Sequence, residues 1–286
     1  METLNKQFHI FKKWQFYAYL AGFIDGDGSI MVIKNHYKRQ QLPTYSSCIS
    51  ITVRNKEIID FFYNRLGGWI RKRYEKYYEI VWKREEATKI LMRIGRLLVL
   101  KAQQARMAIE LQLMNKQGSQ KIAKKTLAQK DKLYQLCSAL NKKQIKIIAG
   151  PLNMKQDEFY AYLAGIIDSE GCISVRKVQR GIGGTELGIS NTQKELISFI
   201  KQRVGCGTYT ERINREEYTI RWYGWSFIKI ARKIEKFLII KKNQLIEAMK
   251  FQDRKGKFKA GYSLPLEEVK YRKFLMEKIK DMKRAV

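Results

Sequence analysis

Two stretches of the chain have an apolar, helical pattern that ends in acidic residues. They cover residues 16–24 and 159–167, and their length and apolar content predict two buried helices. Small residues recur in each at spacings of three and four, which gives each helix a face that another backbone can approach closely. These small residues are Ala18, Ala21 and Gly22 in the first stretch and Ala161, Ala164 and Gly165 in the second. We therefore expect the two helices to pack against each other.

Alternating apolar and polar residues follow each of these helices. In the first half, Ile30 and Val32 alternate with Ser29 and Met31, and three further segments alternate in the same way. Each half thus predicts about four strands, which form a sheet with one apolar face and one polar, basic face. The helices that follow are predicted at 86–116, 126–141, 225–251 and 265–284. This order of elements, αββαββαα, favours an α+β fold with helices on one sheet face.

The chain is an internal duplication. FYAYLAGFIDGDGSIMVIK at 16–34 recurs as FYAYLAGIIDSEGCISVRK at 159–177, and 13 of these 19 positions are identical. The offset of 143 residues is too long for a solenoid repeat, so it indicates two similar domains. Because Gly150-Pro151 marks a break in the chain, we predict one domain over 1–150, including a linker, and a second over 151–286.

The net charge indicates the class of partner. Lys and Arg number 57 against 27 Asp and Glu, which gives a formal net charge of +30. So large an excess favours a polyanionic partner, while 45% hydrophobic residues exclude a disordered basic tail. No apolar run is long enough to span a membrane, and the scattered cysteines argue against a disulfide framework or a zinc site. A folded nucleic-acid-binding protein is the expected class.

Both predicted helices end in a pair of acids next to glycine, Asp25 with Asp27 and Asp168 with Glu170. One hypothesis makes Asp27 and Glu170 ligands of a hard divalent cation, because two carboxylates brought together need a neutralising charge. The alternative is an ordinary turn at the end of a helix, although acids there oppose the helix dipole. Asp25 and Asp168 are interpreted as structural, with side chains that bond backbone amides in the turn.

The two nine-residue segments that contain these acids, LAGFIDGDG at 20–28 and LAGIIDSEG at 163–171, resemble the LAGLIDADG motif. The chain is therefore similar to the single-chain, two-motif, intron-encoded LAGLIDADG homing endonucleases. The resemblance implies two pseudo-symmetric αββαββα domains that pack through the motif helices and form a DNA-binding saddle of antiparallel sheet. It assigns metal binding to Asp27 and Glu170, with assistance from the backbone carbonyls of Gly26 and Ser169; glutamate in place of aspartate keeps the carboxylate.

The same resemblance implies further catalytic residues near the scissile phosphates. Asn55 and Gln193 follow the second strand of each half, where the family often has Gln, so the shorter Asn55 departs from the pattern. Lys101 follows LLVL and Lys241 follows FLII, which is the family's position for a lysine that orients water or stabilises the transition state. The alternative for each lysine is a solvated residue that opens a helix.

The polar strand face is the predicted DNA-binding surface, because Arg bonds guanine and Ser or Thr bonds several bases. For each of these residues the alternative is an exposed sheet position or a phosphate contact. The predicted contacts are Ser29, Met31, Ile33, Asn35, Arg54, Arg71, Arg73, Ser174, Arg176, Arg180, Ser190, Thr192, Arg212 and Arg221.

The resemblance implies a site-specific double-strand DNA endonuclease that uses Mg²⁺ and recognises a long, asymmetric target. Ca²⁺ is expected to occupy the same sites without supporting cleavage. The alternatives are an intron RNA maturase and a non-cleaving DNA-binding protein on the same fold. Because one chain supplies both halves, we expect a monomer. An organelle (mitochondrion or chloroplast) or a bacterial cytoplasm is the expected location.

Overall fold

The computed structural model of the chain describes residues 11–37, 42–116, 124–142, 154–178, 181–255 and 264–285. Two compact units divide the chain. One covers Phe16–Lys155, and the other joins Gln156–Val286 with the described residues that precede Phe16. The predicted boundary at Gly150 lies outside the described residues and stays a prediction.

The first unit contains a four-stranded antiparallel sheet and the helices that surround it. Its elements in chain order are α1 (Lys13–Asp27), β1 (Gly28–Asn35), β2 (Thr44–Val53), α2 (Lys56–Leu66), β3 (Trp69–Arg73), β4 (Tyr77–Lys83), α3 (Arg84–Ile94), a 3₁₀ turn (Gly95–Leu97), α4 (Ala102–Lys116) and α5 (Lys124–Asn141). The strand order across the sheet is β1-β2-β4-β3.

The second unit repeats this plan. Its elements are α6 (Gln156–Glu170), β5 (Gly171–Val178), β6 (Gly181–Asn191), α7 (Lys194–Val204), β7 (Thr208–Arg212), a 3₁₀ turn (Ile213–Arg215), β8 (Glu217–Tyr223), α8 (Gly224–Ile234), a second 3₁₀ turn (Glu235–Phe237), α9 (Lys242–Lys255) and α10 (Leu266–Ala285). The strand order is β5-β6-β8-β7, again antiparallel. The predicted α+β class is confirmed in both halves.

The register of each sheet places the apolar alternation on the face that the helices cover. In the first sheet, Ile49 pairs with Ile30 on one side and with Trp82 on the other, and none of the three is exposed. The polar residues between them lie on the opposite face, called the open face below. A one-residue shift of register would exchange the two faces, so burial of the isoleucines fixes which side chains the open face carries.

A matched tryptophan contact holds strands β4 and β8 against the preceding turn. Trp82 donates through Nε1 to Gly67 O at 2.9 Å, and Trp222 donates to Cys206 O at 3.0 Å. The next residue, Gly68 or Gly207, has a φ of +106° or +109°, and a Cβ there would lie 2.6 or 2.7 Å from the indole nitrogen. Only glycine satisfies both the backbone conformation and the close indole.

The helices predicted over 86–116 and 225–251 were wrong as continuous helices. Each is broken, after Ile94 in one case and after Ile234 in the other, by a 3₁₀ turn and four residues of non-helical chain. The periodicity of apolar residues continues through the break, which explains the prediction. The cause of the break is tertiary, since the amides exposed there bond a buried acid of the motif helix. No helix within the described ranges is long and apolar enough to cross a membrane.

Candidate active site and nucleic-acid interface

The end of motif helix α1 is fixed by a buried carboxylate. Asp25 is 1% exposed, and its carboxylate accepts from Val99 N–H at 2.6 Å and from Lys101 N–H at 2.9 Å. These amides belong to the break between α3 and α4. The interpretation of Asp25 as structural agrees with this geometry, but the amides lie in a distant segment and not in the turn of its own helix. Charge-assisted bonds of this kind are about twice as strong as neutral ones.

Lys101 also bonds the same helix end through its side chain. Its Nζ donates to Ile24 O at 2.6 Å, to Asp25 O at 2.9 Å and to Gly26 O at 3.2 Å. These are carbonyls of the last helical turn, which have no partner within a helix. The positive charge of the ammonium group also interacts favourably with the negative end of the helix dipole. Lys101 is therefore a C-terminal cap of α1 in this structure, and its catalytic role stays a prediction.

The second unit builds the same arrangement around α6. Asp168 is 3% exposed and accepts from the amides of Ile239 (2.7 Å), Ile240 (3.2 Å) and Lys241 (2.8 Å). Lys241 Nζ donates to Ile167 O at 2.7 Å, Asp168 O at 2.8 Å and Ser169 O at 3.5 Å. The two repeats of the sequence thus form the same local geometry.

Asp27 and Glu170 occupy the last position of their helices, and both are exposed. The strand begins at the very next residue, which is glycine in both halves. A Cβ on Gly28 would lie 2.6 Å from Ile24 Cα, and one on Gly171 would lie 2.6 Å from Ile167 O. Glycine is therefore required for the strand to start directly over the last helical turn. This abrupt turn leaves each acid at the surface, where helix and strand meet.

The donor set fits a hard divalent cation only in part. Carboxylate oxygens at the negative end of a helix dipole suit such an ion. The Gly26 carbonyl fits less well, because an ion there would share its oxygen with the Lys101 ammonium group, 3.2 Å away. Nowhere in the described ranges do three His, Cys, Asp or Glu side chains come together. An ion at Asp27 or Glu170 would therefore need water or phosphate oxygens to complete its coordination, as Mg²⁺ commonly does.

Asn55 and Gln193 stand at the first turn of α2 and α7. Asn55 is the N-cap of α2, and its Oδ1 accepts from Glu57 N–H at 2.9 Å and from Ile58 N–H at 3.3 Å. Gln193 is the N-cap of α7, but its side chain makes no capping bond. Its backbone N–H donates to Asn191 Oδ1 at 2.8 Å. The shorter Asn55 thus suits a helix cap, and a glutamine at this position leaves its amide group for another partner.

The open face of the first sheet carries most of the predicted DNA contacts of this half. Ser29, Met31 and Ile33 lie partly exposed along β1, between the buried Ile30 and Val32. Arg54 follows β2 and donates from Nε to Tyr77 Oη at 3.1 Å. Asn35 is the last residue of β1 and is partly exposed. The alternation read from the sequence therefore assigned the faces of β1 correctly.

The second sheet is described for fewer of the predicted contacts. Ser174, Ser190, Thr192, Arg212 and Arg221 are exposed or partly exposed on its strands or at a strand end. Arg180 lies outside the described residues, and the side chain of Arg176 is likewise not described.

Glutamates on the two open faces are the residues that sequence analysis missed. Glu79 on β4 is 4% exposed and ion-pairs with Arg71 and Arg73 of the neighbouring strand. Glu186 on β6 pairs with Arg221 at 2.9 Å. Alternation alone puts Glu79 on the polar face. Its pairing, however, depends on the β3–β4 register, in which Arg71 lies opposite Glu79.

Solved structures share this architecture over nearly the whole chain. I-SmaMI bound to an uncleaved DNA target with calcium ions has a TM-score of 0.69 at 17% identity, covering 92% of this chain and 98% of that chain. I-GzeII, a LAGLIDADG homing endonuclease in complex with its DNA target, has a TM-score of 0.71 at 15% identity, covering 91% and 97%.

The chain has the LAGLIDADG homing endonuclease fold. I-AabMI, a LAGLIDADG meganuclease bound to uncleaved DNA, agrees, with a TM-score of 0.70 at 15% identity over 91% of this chain and 98% of that chain. The resemblance recognised in the two motifs is thereby confirmed at the level of the fold. No protein-family model matches the sequence, and no curated protein matches it either.

Further similar structures contain cleaved DNA or lysine-to-alanine substitutions. I-SmaMI is also known bound to cleaved DNA, and as variants in which one or both of two lysines are replaced by alanine.

Proposed function

We propose that this chain is a LAGLIDADG homing endonuclease that cuts both strands of a long, asymmetric DNA target with the help of a divalent metal ion. One observation carries the proposal. Each unit places an exposed carboxylate, Asp27 or Glu170, where a buried acid and a capping lysine fix the end of the motif helix. Such matched construction at two surface acids is more than an ordinary helix turn needs. DNA-bound structures with the same fold support the same assignment.

The chain's own residues would prepare the site for phosphodiester hydrolysis. Asp25 and Asp168 hold the helix ends rigidly, so Asp27 and Glu170 need little reorganisation when a phosphate arrives. Lys101 and Lys241 add positive charge beneath the same turn, which lowers the cost of bringing DNA phosphates close to surface acids. Asp27 and Glu170 are the residues that would hold Mg²⁺, and a bound ion would supply positive charge to oxygens of the scissile phosphate as negative charge builds there.

The two open faces would read the two halves of the target. They carry different side chains: the first sheet has one Glu shared by two Arg, and the second has a pair of hydroxyl groups beside a single Arg–Glu pair. Different faces need different base sequences, so the target need not be palindromic. The net charge of +30 supplies general affinity for phosphates and makes binding strongly salt-dependent.

The proposal extends to the organisation of the protein. A chain that contains both halves needs no second copy to cut both strands, so we propose a monomer, with the coding sequence carried in an intron. Light scattering at micromolar concentration, with and without a target duplex, measures this directly; a stable dimer in the absence of DNA would contradict it.

The decisive experiment is selection from a long randomised DNA duplex library. The protein captures duplexes in Ca²⁺, and Mg²⁺ is then added to start cleavage. Wild type runs beside the double variant Asp27→Asn/Glu170→Gln, which keeps size and hydrogen bonding but removes both charges. We expect both proteins to select one long site and only wild type to cut its two strands.

Two other outcomes would change the assignment. Selection of a site without cleavage by wild type would leave a DNA-binding protein and remove the metal-site assignment. Absence of any selected DNA sequence would favour binding of structured intron RNA, as in a maturase, and the same capture with intron transcripts would then measure that activity.

A further inference from the structure

A buried glutamate lies on the open face of the first sheet, among residues expected to meet DNA. Glu79 is 4% exposed, although acidic residues are seldom so buried without partners. In the sheet register it stands between Thr52 of β2 and Arg71 of β3. Because it lies in a strongly basic surface, an acid here reduces affinity for DNA phosphates and needs another explanation.

Two arginines donate hydrogen bonds to this glutamate, each through its Nε. Arg71 and Arg73 each donate from Nε to Glu79 Oε2, the second at 3.1 Å. Their side chains remain 40% and 44% exposed. Within the described ranges, the terminal nitrogens of neither guanidinium donate to a protein group. Each arginine is thus held at its inner nitrogen, while its outer edge faces solvent.

Trp69 restricts Arg71 further. The guanidinium carbon of Arg71 lies 5.6 Å from the indole centroid, and Lys83 Nζ lies 5.7 Å from it on the same strand pair. The hydrogen bond to Glu79 also raises the pKa of Arg71. A guanidinium bonded at Nε and in cation–π contact with a ring has lost part of its rotamer freedom, so binding through its outer edge costs less conformational entropy.

The outer edge of an arginine matches one base in the major groove. Its two terminal nitrogens can donate in parallel to guanine O6 and N7, and this pairing is the commonest specific contact of arginine with DNA. A phosphate contact would not need the arginines to be fixed by an acid, since phosphates carry no sequence information.

The second sheet has one arginine held at Nε by a glutamate, Arg221 with Glu186 at 2.9 Å, but nothing similar at the position equivalent to Glu79. Thr219 occupies the position that Glu79 has in the first sheet, and it pairs in register with Ser190 and Thr210. Ser190 Oγ and Thr219 Oγ1 lie 3.0 Å apart. Hydroxyl groups here both donate and accept, and so do not select guanine.

We propose that Glu79 is a positioning residue that fixes Arg71 and Arg73 to read guanine in the half-site bound by the first sheet. The inference rests on the proposed DNA-binding function and specifies the chemistry of its target. At the base pairs that these arginines face, guanine is preferred; at the equivalent place in the other half-site, no such preference for guanine exists.

The test compares base preferences of variants in the same Ca²⁺ duplex selection, followed by binding measurements on single-base variants of the selected site. Glu79→Gln keeps the shape of the side chain and removes its charge. Arg71→Lys keeps the positive charge and removes the planar fork. We expect each to lower the preference for guanine about 10-fold at a shared base pair, the scale of one bidentate contact. Asp60→Asn removes the same charge from helix α2, where Asp60 pairs with Lys56, and leaves all preferences unchanged.

The outcomes separate this inference from the proposed function. If wild type selects a site and Glu79→Gln strengthens binding to all sequences equally, the arginines contact phosphates and the inference is wrong. If Glu79→Gln does not fold, as judged by thermal unfolding, Arg71→Lys decides alone: unchanged base preferences overturn the inference. If wild type selects no DNA sequence, the proposed function fails, and the inference fails with it.

Discussion

The two halves of the chain share their construction at the motif helices and differ on their open sheet faces. Asp25 and Asp168, each with its capping lysine, form nearly the same bonds to the chain that follows their sheet. On the sheets, a buried Glu79 with two arginines contrasts with Thr219 and its neighbouring hydroxyl. After duplication, the geometry of the proposed catalytic end was retained while the proposed reading surface diverged. Such a pattern fits one reaction performed twice on two different half-sites.

The largest expected effect concerns the acids that the two halves have in common. Asp27→Asn or Glu170→Gln alone should lower cleavage by at least about 10²-fold, the scale of losing one group that stabilises a transition state. Binding to the selected duplex in Ca²⁺ should remain within a few-fold. Gel analysis with each strand labelled separately shows whether the two acids serve different strands. Full cleavage of both strands by either variant would contradict the proposed site.

Next in size is the loss of the buried structural acids. Asp25→Asn and Asp168→Asn each remove the negative charge of a buried carboxylate that accepts two or more hydrogen bonds from backbone amides. We therefore expect each to lower the free energy of unfolding by about 2–3 kcal/mol. Urea denaturation measures it, with Asp60→Asn as the exposed control. Because the two acids accept matching hydrogen bonds, the two variants should lose similar stability. A loss of stability in only one variant would show that the halves are less equivalent than their hydrogen bonds indicate.

Glycine at the start of the first strand gives a smaller, steric effect. Gly28→Ala and Gly171→Ala place a Cβ 2.6 Å from backbone atoms of the motif helix, which has to shift to relieve the contact. We expect each to destabilise by about 1–3 kcal/mol and to displace the adjacent acid, so cleavage falls more than DNA affinity. Gly95→Ala is the matched control, since nothing lies within 4 Å of the added carbon. Equal stability of all three variants would argue against the tight helix–strand turn.

The smallest expected effect is a pH dependence of stability, with the same sign in the two units. In the first unit, Asp131 of α5 accepts from Lys34 Nζ at 2.5 Å and from Tyr45 Oη at 2.8 Å, and these bonds hold the pKa of Asp131 below its usual range. A lowered folded-state pKa gives stability that is complete above the unfolded pKa, about 3.9. That stability is lost as pH falls through the folded value.

Asp131→Asn should therefore lower the melting temperature at pH 6, and the difference from wild type should shrink as the pH approaches 3. Thermal unfolding followed by circular dichroism at several pH values measures both. In the second unit, the largest single influence on the pKa of Glu247 is burial, which raises it. Hydrogen bonds from Lys250 and Lys278 outweigh burial, and the pKa is lowered. Glu247→Gln should thus show the same sign, and a constant difference across pH would contradict the assignment for either acid.

The parts of the fold that depend on local pattern are predictable from the sequence. The duplication, the motif helices and the strand faces follow from repeated letters and from alternation, as Ile30 and Val32 illustrate. The break before Lys101 could not be predicted, because the apolar periodicity runs through it and its cause, Asp25, lies more than 70 residues away. The register that joins Arg71 to Glu79 was equally inaccessible, since several registers keep the same residues on the same face.

The sequence by itself determined the repeat, the α+β class, the strong positive charge and the positions of Asp27 and Glu170 at the two helix ends. These depend on residue order and on short-range periodicity, which are properties of the sequence and do not require knowledge of the fold. The tertiary structure alone decided that Lys101 and Lys241 cap the motif helices, and that Glu79 binds two arginines. Both depend on backbone groups and side chains brought together from distant segments, because buried carbonyls, amides and carboxylates must find partners wherever the fold supplies them.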